Sequence, residues 1–143
     1  MIRDAELIMS GTMVAGVETG QRISSSGATP STDYIDTLAA GEAMKPGARL
    51  HIVATEILAG TGTVCTITLE TGTTNACGTT LLSTGAIAKA STAAGTVLFD
   101  GVIPSGVLRY LRVVYTTDNT METTGRISAY IVLDSERTLD RSL

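Results

Sequence analysis

Aromatic residues are scarce in this chain. Among 143 residues there is no tryptophan, one phenylalanine and four tyrosines, so the core has to be built from Val, Ile, Leu and Ala. The same scarcity leaves a sugar-binding sandwich only Tyr34, Tyr110, Tyr115 and Tyr130 for stacking platforms. Tyr110 and Tyr130 are candidate neighbours on one face, an arrangement that an ordinary cross-strand pair explains equally well. Long hydrophobic runs are missing too. No apolar stretch reaches the 18 or so residues that a membrane helix needs, and "MIRDAELIMSG" carries Arg3, Asp4 and Glu6 where an export signal would be apolar. Neither export by a signal peptide nor a membrane partner is expected.

Positive charge is in short supply. Ten Lys and Arg against fourteen Asp and Glu give a net charge of −4, which repels phosphate backbones and argues against nucleic acid as a partner. The two cysteines, Cys65 and Cys77, lie twelve positions apart, which matches neither a CxxC redox pair nor a zinc spacing. Cys65 shares a face with Ile67 and Leu69 in "TVCTITLE", whereas "TNACGTT" places Cys77 in a turn. Both read as free thiols of a protein made in the cytosol.

Signals for catalysis and cofactors are equally thin. The single histidine, His51, lies in a strand opposite Leu50 and Ile52 with no serine or cysteine placed near it by a local motif, and it reads as a solvated strand residue. A small hydrolase would need a cleft around it with a carboxylate and a hydroxyl in reach. No G-x-S-x-G elbow occurs. In "GEAMKPGA" Pro46 follows Lys45 where a phosphate loop needs Ser or Thr, so the stretch reads as a turn. Asp118, Asn119 and Glu122 lack the ligand spacing of a calcium loop. No catalytic residue, metal ligand or cofactor is expected.

What the chain does have is period two. Alternating runs punctuated by Gly, Asn and Pro predict an all-β sandwich of antiparallel strands. Strands are expected at residues 34–38, 49–56, 63–70, 80–87, 96–103, 108–117 and 126–134, with residues 5–9 as an eighth. Inward positions are Leu50, Ile52 and Ala54; Ile67 and Leu69; Leu111, Val113 and Tyr115; and Ile127, Ala129, Ile131 and Leu133. "AIAKASTAAG" is allowed one helical turn at most. Residues 1–32 are expected as an apolar N-terminal arm followed by a flexible Ser/Gly-rich segment, 33–134 as the sandwich, and 135–143 as a charged tail.

In "VLRYLRVVYTT" the outward set is Tyr110, Arg112 and Val114. Arg and Tyr are the side chains that carry interface energy, so Tyr110 and Arg112 are candidate partner contacts, the alternative being a sheet face that simply sits in water. "LIMSGTMV" is too apolar for water, which adds Leu7, Ile8, Met9 and Met13 on an arm that reaches a neighbouring subunit. Leu139 is the tail's candidate anchor.

The ordered segments "YIDTL", "GARLHIVATE", "TVCTITLET", "LLSTGAIAKASTAAGTVLFDGVIP", "RYLRVVYTT" and "GRISAYIVLD" resemble the capsid cement, or decoration, proteins of short-tailed bacteriophages. "AAGTVLFDGVIP" and "RYLRVVYTT" carry the likeness best. The resemblance implies a jelly-roll-like sandwich of about eight strands on the outer surface of the virion capsid, made in the host bacterial cytoplasm. It further implies bridging of neighbouring major capsid protein subunits and self-association, with a dimer favoured over a trimer. A carbohydrate-binding module of a virion or bacterial protein is the alternative, which two coplanar exposed tyrosines would favour.

Overall fold

Where apolar and polar side chains alternate, the chain is extended. In the computed structural model, which describes residues 7–23, 26–38, 47–119 and 125–132, twelve strands follow in order. They are β1 (Ile8–Ser10), β2 (Thr12–Val14), β3 (Val17–Thr19), β4 (Gln21–Arg22), β5 (Gly27–Pro30) and β6 (Ile35–Asp36), then β7 (Arg49–Glu56), β8 (Val64–Gly72), β9 (Thr79–Ala88), β10 (Val97–Val102), β11 (Tyr110–Thr117) and β12 (Arg126–Val132). A short 3₁₀ turn, Lys89–Ser91, follows β9.

Ten of these strands form two antiparallel sheets, and β2 and β3 pair only with each other. The first runs β1-β12-β7-β10 with β4 also on β12, and the second runs β5-β11-β8-β9 with β6 also on β11. Taking β1 with β4, and β5 with β6, as broken single strands leaves eight positions. Their chain order reads 1-8-3-6 in one sheet and 2-7-4-5 in the other, the order of a jelly roll. The all-β sandwich is thus the fold.

The core lies between the sheets and is aliphatic. Leu50, Ile52, Ile67, Leu69, Leu111, Val113, Ile127 and Ile131 are all buried in one cluster, with Cys65, Ala129 and Tyr115 among them. Cross-strand partners enforce the alternation: Val113 lies opposite Leu69 and Tyr115 opposite Ile67, pointing in, while Arg112 lies opposite Glu70, pointing out. Leu133, expected in this set, lies outside the described residues.

The N-terminal region departs from the expectation of an arm and a flexible linker. Ile8 and Ser10 pair with Tyr130 and Ala129, Met9 and Ile23 are fully buried, and β5 pairs with Val114–Thr117 of β11. The reason is that an edge strand needs backbone pairing more than apolar side chains, so a polar stretch such as "GATP" still adds to a sheet. Gln21 ties the turn by donating from Nε2 to the Pro30 carbonyl at 2.8 Å and accepting from the Thr32 N–H at 2.8 Å.

β2 and β3 form a hairpin across the outer side of the first sheet, where the chain passes so close that a side chain would not fit. A Cβ on Gly11 would lie 2.6 Å from the Thr19 carbonyl oxygen and 3.2 Å from Ser128 Oγ, and one on Gly20 would lie 2.9 Å from the Ile127 backbone. The hairpin's Met13 packs on a small second cluster of Ile8, Tyr130 and Val132. The expected C-terminal tail, 135–143, lies outside the described residues.

Candidate partner-binding surface

The sandwich has two outer faces, and each carries charge, aromatic rings and exposed apolar side chains. On the second sheet, the end of β11 lies against β6 in a register that sets Tyr110 opposite Asp36. Arg109 holds Asp36 with two parallel bonds, Nε to Oδ1 at 2.8 Å and Nη2 to Oδ2 at 2.9 Å, the fork-to-carboxylate geometry that also fixes direction. Its guanidinium stands 5.0 Å from the centre of the Tyr110 ring. The Tyr34 ring meets Tyr110 edge-on, with centroids 5.5 Å apart and planes at 73°. Tyr34 is 48% exposed and Leu38, at the end of the same segment, 79%. Arg109 keeps the Asp36 carboxyl low, at about 2, so this pair stays charged at neutral pH.

Next along β11, Arg112 donates from Nε and Nη2 to Oε2 of Glu70 at 3.0 and 2.9 Å. The result is a patch of two tyrosines, one leucine and two arginines whose carboxylate partners hold them in place.

On the first sheet, the outer side of β7 and β10 carries Arg49, His51 and Asp100. Arg49 donates to Asp100 Oδ1 from Nε at 2.9 Å and Nη2 at 2.6 Å. His51 is not the solvated residue its strand position predicts: it is buried, its ring 5.1 Å from that of Tyr130. A strand's outer face is wet only if nothing covers it, and here the region beside Tyr130 is packed under Met13. His51 Nδ1 lies 3.5 Å from Asp100 Oδ2 and has no hydrogen-bond partner, so the His–carboxylate bond on which a catalytic triad depends is not made at this nitrogen. Tyr130 lies on the first sheet and Tyr110 on the second, so the two do not share a face and neither a platform nor a cross-strand pair joins them.

The other candidate contacts fall in several places. Met9 is in the core and Leu7 packs against it; Ile8 and Met13 belong to the outer cluster with Tyr130. None of these four forms an arm. Tyr110 and Arg112 do face outward, and Leu139 lies outside the described residues. Tyr34, named in the sequence only as a possible stacking platform, completes the patch together with Asp36, Leu38 and Arg109, which the sequence does not single out. The only local signal is the Arg109-Tyr110 pair, because Asp36 is brought to Arg109 from 73 positions away.

Among the described residues no group of three or more His, Cys, Asp and Glu is placed to hold a metal ion, and no helix is long and apolar enough to cross a membrane. The sequence profile of the Bbp16 family matches residues 10–131. The chain belongs to the Bbp16 family. That family is phage-related, and the Bbp16 match takes in both outer faces, from the end of β1 to the penultimate residue of β12. No curated protein matches the chain.

Proposed function

We propose that this Bbp16-family protein is a bacteriophage capsid cement protein. It binds the outer surface of the assembled head and bridges neighbouring major capsid protein subunits, after synthesis in the host bacterial cytoplasm. The observation that carries the reading is the Tyr34–Tyr110–Arg109 patch with Leu38 beside it. Tyr and Arg dominate binding hot spots because they bring rigid area and forked hydrogen bonding at low entropy cost, and here the arginine is held by Asp36 before any partner arrives. The phage-related family agrees with it. Arg49, Arg109, Arg112 and Arg126 are each paired with a carboxylate, so they form no free basic stripe for phosphate. The edge-on meeting of Tyr34 and Tyr110 is unlike the coplanar platform that would favour a sugar-binding module.

A standard contact of about 800 Å² per partner gives modest affinity to a single copy. A protein touching two subunits gains effective concentration from its second contact and prefers an assembled shell over free subunits by roughly 10² or more. Heads stripped of the protein should open at a lower temperature than intact ones, and added protein should pellet with heads but not with unassembled subunits. Tyr34→Ala, at a half-exposed position, should lose pelleting and keep its fold. Equal binding to shells and free subunits, equal heat resistance with and without the protein, or retention on a glycan array in place of heads would overturn the reading.

A further inference from the structure

We infer that the protein stands end-on on the phage shell, and that the tip of the β2–β3 hairpin, Val14 with Val17, is its second contact there, seated in an uncharged apolar cleft of a neighbouring major capsid protein subunit. The inference rests on the cement reading above and supplies the second foothold that bridging needs.

Strand register decides which groups share an end of the sandwich. Arg49, the first residue of β7, pairs with Val132 at the end of β12 and with Val102 at the end of β10. From there residues 103–109 lead into β11, whose first residue, Tyr110, lies opposite Asp36. The Tyr34 patch and the Arg49 end of the first sheet are therefore one end of the molecule. The hairpin runs toward that same end. It leaves β1 at Gly11, beside Ser128, and its Met13 packs farther along β12, on the cluster of Ile8, Tyr130 and Val132. Val14 and Val17 pair with each other one step beyond Met13.

Seven large hydrophobic side chains are exposed among the described residues. Five of them, Val14, Val17, Tyr34, Leu38 and Val102, stand at this end, against Ile57 and Val97 at the other. Apolar residues scattered singly over a surface are ordinary, whereas a grouped set marks a contact. The hairpin valines are 69% and 65% exposed. Leu38 is held out at a cost, since its backbone is left-handed with φ at 64°, a conformation that a leucine keeps only under constraint. The constraint is Asp36 Oδ1, which accepts from the Leu38 N–H at 2.9 Å and also from Arg109 Nε.

The chemistry of this end names the partner. From Thr12 to Val17 the hairpin carries no charge, and Arg49 with Asp100 and Arg109 with Asp36 neutralise each other in pairs. Phosphate, of nucleic acid or of a lipid headgroup, finds no counter-charge here, while an uncharged apolar protein surface is matched. The hairpin lies outside the first sheet and the Tyr34–Tyr110 pair outside the second, so two layer spacings of about 10 Å each separate the footholds. Both reach the same end of the molecule. One copy thus touches two subunits of one shell surface, across the seam between them, and gains effective concentration from the second contact.

Co-sedimentation with heads stripped of the protein tests this. Val14→Glu/Val17→Lys removes the apolar tip and leaves an opposite-charge cross-strand pair to support the hairpin. Its melting curve should match the parent's, while pelleting with heads should need roughly 10²-fold more protein, as expected when one of two linked contacts is lost. Val97→Lys, at the far end of β10, should pellet as the parent does. A photo-crosslinking residue in place of Val14 should capture the major capsid protein on heads. A tip variant that pellets like the parent, an equal loss in Val97→Lys, or crosslinks that reach only another copy of this chain would overturn the inference and leave the cement reading standing. Parent protein that binds phosphatidylcholine vesicles through the tip, and loses them in the tip variant, would overturn it as well by assigning the tip to lipid. A parent that never pellets with heads sinks both readings.

Discussion

The Tyr115 hydroxyl donates to Ser10 Oγ at 2.6 Å across the buried interior. Tyr115 belongs to the second sheet and Ser10 to the first, and neither is exposed to solvent. Burial pushes the phenol's pKa well above its usual value of 10, so it remains a donor at any working pH. This bond helps to explain why residues 8–10 close the sandwich and do not reach away from it. Tyr115→Phe keeps the ring and leaves Ser10 Oγ without that donor, and should cost about 1–3 kcal/mol in urea unfolding. A loss under about half a kilocalorie, the scale of a neutral surface change, would show that the bond does not hold β1 in place.

Ile131 sits on β12 opposite Leu50 and is 2% exposed. Its truncation leaves a cavity in an aliphatic core with little aromatic bulk nearby to collapse into it. Ile131→Ala is expected to lower stability by about 2–5 kcal/mol. Denaturant midpoints with an unchanged slope would measure it, and a change below about 1 kcal/mol would contradict the burial.

The strands that the sequence makes legible are those with one buried face. "RLHIVATE" is a strand over Arg49–Glu56 as its alternation predicts, because slipping by one residue would turn Leu50, Ile52 and Ala54 into water. The hairpin of β2 and β3 was legible only in part. Its turn has both central residues at positive φ, Ala15 at 49° and Gly16 at 78°, which matches a tight hairpin turn. Its first flanking valine, Val14, reads instead as the end of the apolar stretch "LIMSGTMV". The burial of His51 is not legible in the sequence, because period two tells which face a residue takes but not what lies over that face. The Tyr34–Arg109 patch was hidden for a different reason: it depends on the register of β6 against β11, and long-range register leaves no trace within either segment.

The two thiols differ in access. Cys65 is buried and unbonded, and burial drives its pKa up to about 12; Cys77 is half-buried, and burial again raises its pKa. Thiolate is the reactive form, so native protein at neutral pH should react slowly with iodoacetamide at Cys77 and not at Cys65. Unfolding without reductant should release two equivalents. A denatured, unreduced sample with no reactive thiol would mean that the cysteines are bonded after all.

Two carboxylates predict how stability responds to acid. Asp118 accepts from the Thr63 hydroxyl and, at 2.8 and 3.2 Å, from the Thr63 and Val64 N–H groups. The Thr63 side-chain bond is the first cause that brings its pKa down from 3.8 to about 2. Asp36 reaches about 2 chiefly through its bond to Arg109. Because both folded values lie below the unfolded ones, the unfolded chain binds protons first as the pH falls. Their stabilising contribution is present above about pH 4 and disappears between about 4 and 2. The Asp36→Ala/Asp118→Ala variant should therefore show a flatter decline in melting temperature across that window than the parent. An equally steep decline in both would assign the acid response to other groups.

Arg112 and Glu70 face each other directly across β11 and β8, with side chains only 23% and 17% exposed. Water screens this pair less than the Arg109–Asp36 pair, and removing one partner leaves the other charge half-desolvated. Arg112→Glu sets two carboxylates opposite each other and should cost roughly 1–3 kcal/mol, between the cost of an exposed cross-strand pair and that of a broken buried one. Adding Glu70→Arg reverses the pair and should restore most of the loss, since residues directly opposite exchange places with little change in geometry. The same double variant separates two roles for Arg112. If it acts within the sheet, supporting Tyr110 from beside it, the exchanged pair should pellet with phage heads as the parent does. A stable exchanged variant that no longer pellets would mean that the guanidinium itself touches the partner from position 112.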